Sequence, residues 1–216
     1  MVITIDGPAA SGKSTVSREL ANRLGWQWVS TGAFYRGLGY AALRLKMDIS
    51  DVKALTELAH SSEWRVVMGA NRTQVFFQNE EVTDDIGRED VGNIASKISH
   101  YPEVRKALLE AQRNCSAGPQ GLVAEGRDCG TVVFPQAEAK IYLTASSEHR
   151  AARRAAELGL DQGETQEAQK QRDKQDSTRK AAPLQVPENA FVVDTTDMGL
   201  DEVVNKVESF VRTKLN

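Results

Sequence analysis

Gly7-Pro8-Ala9-Ala10-Ser11-Gly12-Lys13-Ser14-Thr15 has the make-up of a phosphate-binding turn: two bracketing glycines, then a lysine and two hydroxyl side chains. The glycines let backbone N–H groups converge on phosphate oxygens. A helix opening at Lys13 adds the partial positive charge of its N-terminus. The Lys13 ammonium can reach terminal phosphates, and the Ser14 hydroxyl can ligate the Mg2+ that travels with them. The spacing therefore predicts a nucleoside-triphosphate site, provided that a strand precedes it and a helix follows.

Further charges recur where a second anion could be met. Arg36 sits in the first turn of a predicted helix, where a cation opposes the helix dipole unless an anion is bound. Arg127 and Asp128 follow a short apolar run, Leu122-Val123-Ala124, and are flanked by Gly126 and Gly130. That is the carboxyl end of a predicted strand, the place where open α/β sheets bind ligands; an ion pair between the two residues is the plainer alternative. Arg150, Arg153 and Arg154 share one helix face. Arg172, Asp176 and Arg179 are spaced by four and three, which would align them on another. His60, His100 and His149 read as surface residues, so no general base stands out. An acceptor that is itself a phosphate, with a second pKa near 6, would need none.

The elements that must position these groups follow an α/β order. Val2, Ile3 and Ile5 suit a buried strand, and Val16, Leu20 and Leu24 recur at helical spacing after the turn. Residues 26–29 read as a second strand. Ser30-Thr31-Gly32 reads as a helix-opening turn before a helix carrying Phe34, Leu38, Ala42 and Leu45. Val52, Leu55, Leu58 and Ala59 predict a short helix. Residues 64–82 alternate and turn as a small antiparallel meander, which would form an inserted, mobile substrate-side unit. Two amphipathic helices follow, on Val91, Ile94, Ala95 and Ile98 and on Val104, Leu108 and Ala111; Ser96 and Arg105 lie off these faces and read, taken alone, as surface residues. Val132-Val133-Phe134, Ile141-Tyr142-Leu143 and Ala190-Phe191-Val192-Val193 predict further strands, and Leu200, Val203, Val204, Val207 and Val211 a terminal helix.

The segment from Ser146 to about Lys180 is polar nearly throughout. Such a helix has no apolar face to pack, so a solvated arm competes with a hairpin lid that phosphate would order.

The 216 residues suffice for one α/β domain with a sizeable core. A net charge of −3 and a pI of about 5.7 do not suggest a general nucleic-acid or anionic-membrane surface. Cys115 and Cys129 lack metal-ligand spacing and read as reduced, packed thiols. With no signal-type segment and no membrane-length apolar run, the expectation is a soluble cytoplasmic protein.

A triphosphate site alone admits a kinase, a GTPase, or an ATP-driven motor or regulator. Asn205-Lys206-Val207-Glu208 approximates a guanine motif but lies inside the terminal helix and ends in Glu. A motor or switch would need an acidic strand end to position water. Arginines arriving from four separate segments instead suit transfer between two phosphates, where negative charge accumulates.

Over essentially its whole length the chain resembles the bacterial-type cytidylate kinases. The matching features are Ile-Asp-Gly-Pro with its loop, Thr31-Gly32-Ala33-Phe34-Tyr35-Arg36, Ala95-Ser96 with Val104-Arg105, residues 126–135, and Arg172-Asp173 through Arg179 and Ala182-Pro183. The resemblance implies a three-layer, doubly wound parallel-sheet kinase with a CORE (1–58, 84–146 and 181–216), a CMP-binding insertion (59–83) and a helical LID (147–180). It implies direct in-line phosphoryl transfer from ATP, with Mg2+, to CMP and dCMP, by a chain acting as a monomer in pyrimidine nucleotide metabolism.

It further implies that Ser96, Arg105 and Asp128 hold the cytosine, with Thr31 and Tyr35 alongside. Arg172 and Asp176 would meet the sugar, Arg36, Arg127 and Arg179 phosphate, and Arg150, Arg153 and Arg154 the ATP side. Lys13, Arg36, Arg127, Arg172 and Arg179 would be the catalytic cations. The alternatives are a kinase for UMP, AMP or dTMP, and an ATP-binding regulatory module without phosphotransfer. Relatives often have Ser and Met where this chain has Thr31 and Cys129, and Asp where it has Glu125.

Overall fold

The computed structural model describes residues 1–216 except 70, 160 and 216, and omits the side chains of residues 157, 158, 162, 164, 168 and 172. Five strands form a parallel sheet: β1 (Val2–Asp6), β2 (Gln27–Ser30), β6 (Leu122–Gly126), β7 (Ala139–Thr144) and β8 (Phe191–Asp194). Their spatial order is β2-β6-β1-β7-β8. Alternate side chains leave a strand on opposite faces, and both faces are covered here. Ile3, Ile5, Trp28, Val123, Ile141 and Leu143 pack with α1 (Lys13–Leu24) and α8 (Leu200–Leu215). Val29, Leu122 and Ala124 face the other way, towards α2 (Gly32–Arg44), α3 (Val52–Ala59), α4 (Glu89–Ile98) and α5 (Pro102–Asn114). Helices on both faces of a parallel sheet make the three-layer architecture expected from the strand–helix alternation.

The antiparallel meander is present as β3 (Trp64–Met68), β4 (Thr73–Phe77) and β5 (Glu80–Glu81), in that order. It is seated on α2. A Cβ added at Gly37 would lie 2.9 Å from the Trp64 ring and 3.0 Å from Val75 Cγ1. Thr73, itself buried, accepts the Ser30 N–H at 2.9 Å and so ties the meander to the end of β2. Gly37→Ala is therefore expected to destabilise the protein by about 1–3 kcal/mol through overpacking, read from urea unfolding. An unchanged midpoint would show that this contact does not seat the meander.

One expected strand is absent, and one expected helical segment is present. Val132-Val133-Phe134 is not a strand: Cys129–Val133 forms a π-helical turn. The Asp128 carbonyl accepts the N–H groups of both Val132 and Val133, at 2.9 and 3.2 Å, and this curls the backbone against its β-branched propensity. The polar segment is helical, as α6 (Ser147–Leu158) followed by α7 (Gln162–Thr178). Where α7 lacks apolar residues, carboxylates hold it: Asp173 pairs with Arg150 at 2.6 Å, and Asp176 with Arg127 at 2.7 Å.

Candidate active site

Parallel register brings the carboxyl ends of β1, β2 and β6 to one edge of the sheet, pairing Ile5 with Glu125, Asp6 with Gly126 and Ser30 with Glu125. A cleft of about 470 Å³ opens above that edge. Its floor is the turn between β1 and α1. Gly7 is in the positive-φ region at 150°, and a Cβ there would lie 2.0 Å from the Leu143 carbonyl oxygen, so only glycine lets the turn cross β7. Gly12, at φ 91°, caps α1. Ala9, Ala10, Gly12, Lys13, Ser14 and Thr15 line the cleft, while Gly7, Pro8 and Ser11 form the turn's inner path.

Lys13 is buried and donates from Nζ to Pro8 O at 2.5 Å and to Ser11 Oγ at 3.5 Å. Burial, and next the neighbouring Arg127, pull this ammonium down to about 7. Ser14 donates to Glu125 Oε1 at 3.0 Å. Glu125 is a member of the site that sequence reasoning passed over. The available signal was its position: an acidic residue ending a strand beside the phosphate turn. An oxygen-only set of a serine hydroxyl and one carboxylate suits a hard divalent cation that takes its remaining ligands from phosphate and water.

The opposite wall holds a second cluster of charged side chains. Arg127 and Asp128 do not pair with each other. Arg127 Nε donates to Asp176 Oδ2 on α7 at 2.7 Å, whereas Asp128 Oδ2 accepts a hydrogen bond from Arg105 Nη2. Arg105 is thus no surface residue: it lies only 9 % exposed, brought inward by the apolar face of α5 and by its partner carboxylate. Its guanidinium also sits 5.5 Å from the centroid of the Tyr35 ring. Burial raises the Tyr35 hydroxyl to about 12. Gln112, not foreseen from the sequence, is fully enclosed and donates to Thr31 O at 3.3 Å. Thr31 donates to Glu125 O at 2.9 Å and lies 3.4 Å from Cys129 Sγ.

Ser96 on α4 donates to Gln175 on α7 at 2.8 Å, and Arg179 Nη1 donates to Ser99 Oγ at 3.3 Å, so α7 and the residue following it meet the end of α4 beside the cleft. Burial, and then Arg105, pull the Arg179 guanidinium below the ordinary arginine value. Its Nε is buried without a hydrogen-bond partner among the described residues. Arg36 Nη1 donates to Ile86 O at 2.6 Å and passes close over Gly92, where a Cβ would approach Nη2 to 2.9 Å.

Tyr35, Arg36, Ser96, Arg127, Asp128, Arg153, Arg154, Asp176 and Arg179 all line the cleft. Arg150 instead lies under the phosphate turn, donating to Ala9 O at 3.2 Å and Ala145 O at 3.1 Å. Arg153 donates to Thr195 O at 2.6 Å. The side chain of Arg172 lies outside the described residues. His60, His100 and His149 are exposed and none lines the cleft. Cys129 is fully buried, and burial raises its thiol well above the ordinary value, in keeping with a packing role. No helix is long and apolar enough to cross a membrane among the described residues.

A family model described as cytidylate kinase matches residues 3–213. A cytidylate kinase of Bdellovibrio bacteriovorus is 71% identical over 215 residues, covering 100% of this chain and 99% of that protein. A cytidylate kinase of Colwellia psychrerythraea is 44% identical over 220 residues, covering 99% and 97%. Among solved structures, a gluconokinase from Sinorhizobium meliloti superposes with a TM-score of 0.54 at 14% identity, covering 100% of this chain and 94% of that one. At that identity the likeness concerns the fold.

Proposed function

The chain belongs to the cytidylate kinase family, and from that premise we propose how its side chains transfer a phosphoryl group from ATP to CMP and dCMP. The turn at residues 7–15 takes the ATP phosphates on its backbone N–H groups, with Lys13 on the terminal ones. Ser14 and Glu125 would hold Mg2+, which when bound neutralises charge on the phosphate oxygens. On the opposite wall the Arg105–Asp128 pair reads the cytosine. Cytosine offers an amino donor beside N3 and O2 acceptors, so a carboxylate backed by an arginine complements it; uracil would set O4 against that carboxylate. Thr31, Tyr35 and Ser96 complete the base pocket, and Asp176 with Arg172 meets the sugar.

Arg36, Arg127 and Arg179 receive the CMP phosphate, and the unpartnered Arg179 Nε supports this, because a buried donor without an acceptor is stabilised by an incoming anion. The phosphate acceptor is already anionic near neutral pH, so positioning and electrostatics suffice without a general base. Arg153 and Arg154 close the ATP side, while Arg150 acts from beneath the turn. Closure of the lid excludes water, so ATP is not simply hydrolysed.

In this reading the insertion 59–83 and the LID 147–180 move against a CORE of 1–58, 84–146 and 181–216. Because α2 and α4 line the cleft while the meander rests on α2, the insertion acts through α2. The proposed unit of function is one chain acting as a monomer. A pI of about 5.7 argues against nucleic acid or anionic membrane as partners, the free thiols of Cys115 and Cys129 suit a reducing cytoplasm, and phosphorylation of CMP would belong to pyrimidine nucleotide metabolism.

One observation carries the reading: a buried, base-complementary Arg–Asp pair and a phosphate turn lie in or against a single cleft. A coupled assay for ADP release with CMP, dCMP, UMP and AMP tests it. CMP and dCMP should accelerate ATP consumption most. Equal rates with UMP or AMP would sink the base assignment, and no acceleration by any monophosphate would favour a regulatory module.

A further inference from the structure

Asp6 is the last residue of β1 and immediately precedes the phosphate turn, yet its side chain serves the opposite wall. It is fully enclosed. Its Oδ1 accepts the Cys129 N–H at 2.8 Å and its Oδ2 the Gly130 N–H at 2.7 Å. Those are the first two amides of the turn that begins directly after Asp128. Burial raises this carboxyl to about 6, against the lowering effect of the two amides. A buried acid is thus retained where an apolar residue would avoid the desolvation penalty. Gly130 is fitted to the arrangement, since a Cβ there would stand 2.8 Å from Thr4 Oγ1 and 3.2 Å from Asp6 Oδ2.

We infer that Asp6 is a positioning residue for base selection, its carboxylate clamping the 129–133 turn so that Asp128 is aimed at the pyrimidine and Arg127 at the acceptor phosphate. The clamp also joins the acceptor wall to the strand carrying the ATP turn, which fixes the distance between the two substrates. A carboxylate offers an acceptor to each amide, whereas Asn offers one acceptor and turns its NH2 against the other N–H. In Asp6→Asn the turn is therefore released on one side while side-chain volume is kept.

This inference rests on the proposed contact between Asp128 and the base, so Asp128→Ala is measured beside Asp6→Asn and Gly130→Ala. The readout is kcat/KM for CMP over that for UMP at saturating ATP, together with KM for ATP. Asp6→Asn is expected to raise KM for CMP and lower the CMP-over-UMP ratio by about tenfold or more, with KM for ATP changed by less than about threefold. Gly130→Ala should lower the ratio in the same way. An Asp6→Asn enzyme with the wild-type ratio, beside an Asp128→Ala enzyme that has lost it, would make Asp6 merely structural and overturn the inference. If Asp128→Ala itself keeps the ratio, the base contact fails and the inference falls with it. Should Asp6→Asn not fold, Gly130→Ala decides: a lowered ratio supports the clamp, and an unchanged one overturns it.

Discussion

Lys13→Ala is expected to lower kcat by on the order of 10³-fold while leaving the affinity for CMP within about threefold of wild type. The Nζ is held over the phosphate turn by Pro8 O and Ser11 Oγ and lies in the same cleft as Arg127. In the proposed reaction it counters charge that builds on the transferring group, so its loss should fall on the transition state. The groups proposed to bind CMP lie on the opposite wall and stay intact. Stability should not fall much, because burial and then Arg127 already disfavour this ammonium, down to about 7, and Ala removes a desolvated charge. Single-turnover kinetics and calorimetric titration with CMP check both halves. Turnover within tenfold of wild type would remove Lys13 from the chemistry.

Asp128→Ala should strike specificity and stability together. The variant is expected to lose discrimination between CMP and UMP by on the order of 10³-fold, with KM for ATP nearly unchanged. Arg105 would then be left 9 % exposed without its carboxylate. Breaking a buried pair from one side costs about 3–5 kcal/mol, which thermal unfolding should show as a clear drop in Tm. CMP at high concentration should recover part of that loss, since binding to the folded state stabilises by mass action. Unaltered CMP kinetics would dismiss the base contact, even if Tm falls.

Asp6 and Arg105 show where sequence reading stops. Both stand in short strings that read as ordinary strand end and helix surface. Their roles depend on partners 123 and 23 residues away. Helical spacing placed Arg105 off an apolar face, yet it is buried with Val104 and Leu108 on the same helix and paired with Asp128. The β-branched pair Val132-Val133 misled in the opposite sense, because the Asp128 carbonyl takes both of their backbone N–H groups, which a strand would have given to a neighbour.

By itself the sequence determined the phosphate turn, the strand–helix alternation around it and the meander. Each of these depends on periodicity or on spacing within a few residues, which the chain carries locally. Only the tertiary structure decided that Glu125 meets Ser14, that Arg127 pairs with Asp176, and that Arg150 lies beneath the turn while Arg153 and Arg154 face the cleft. Those pairings follow from sheet register and from burial, which fix distances between residues far apart in the chain and exclude the water that would otherwise separate their charges.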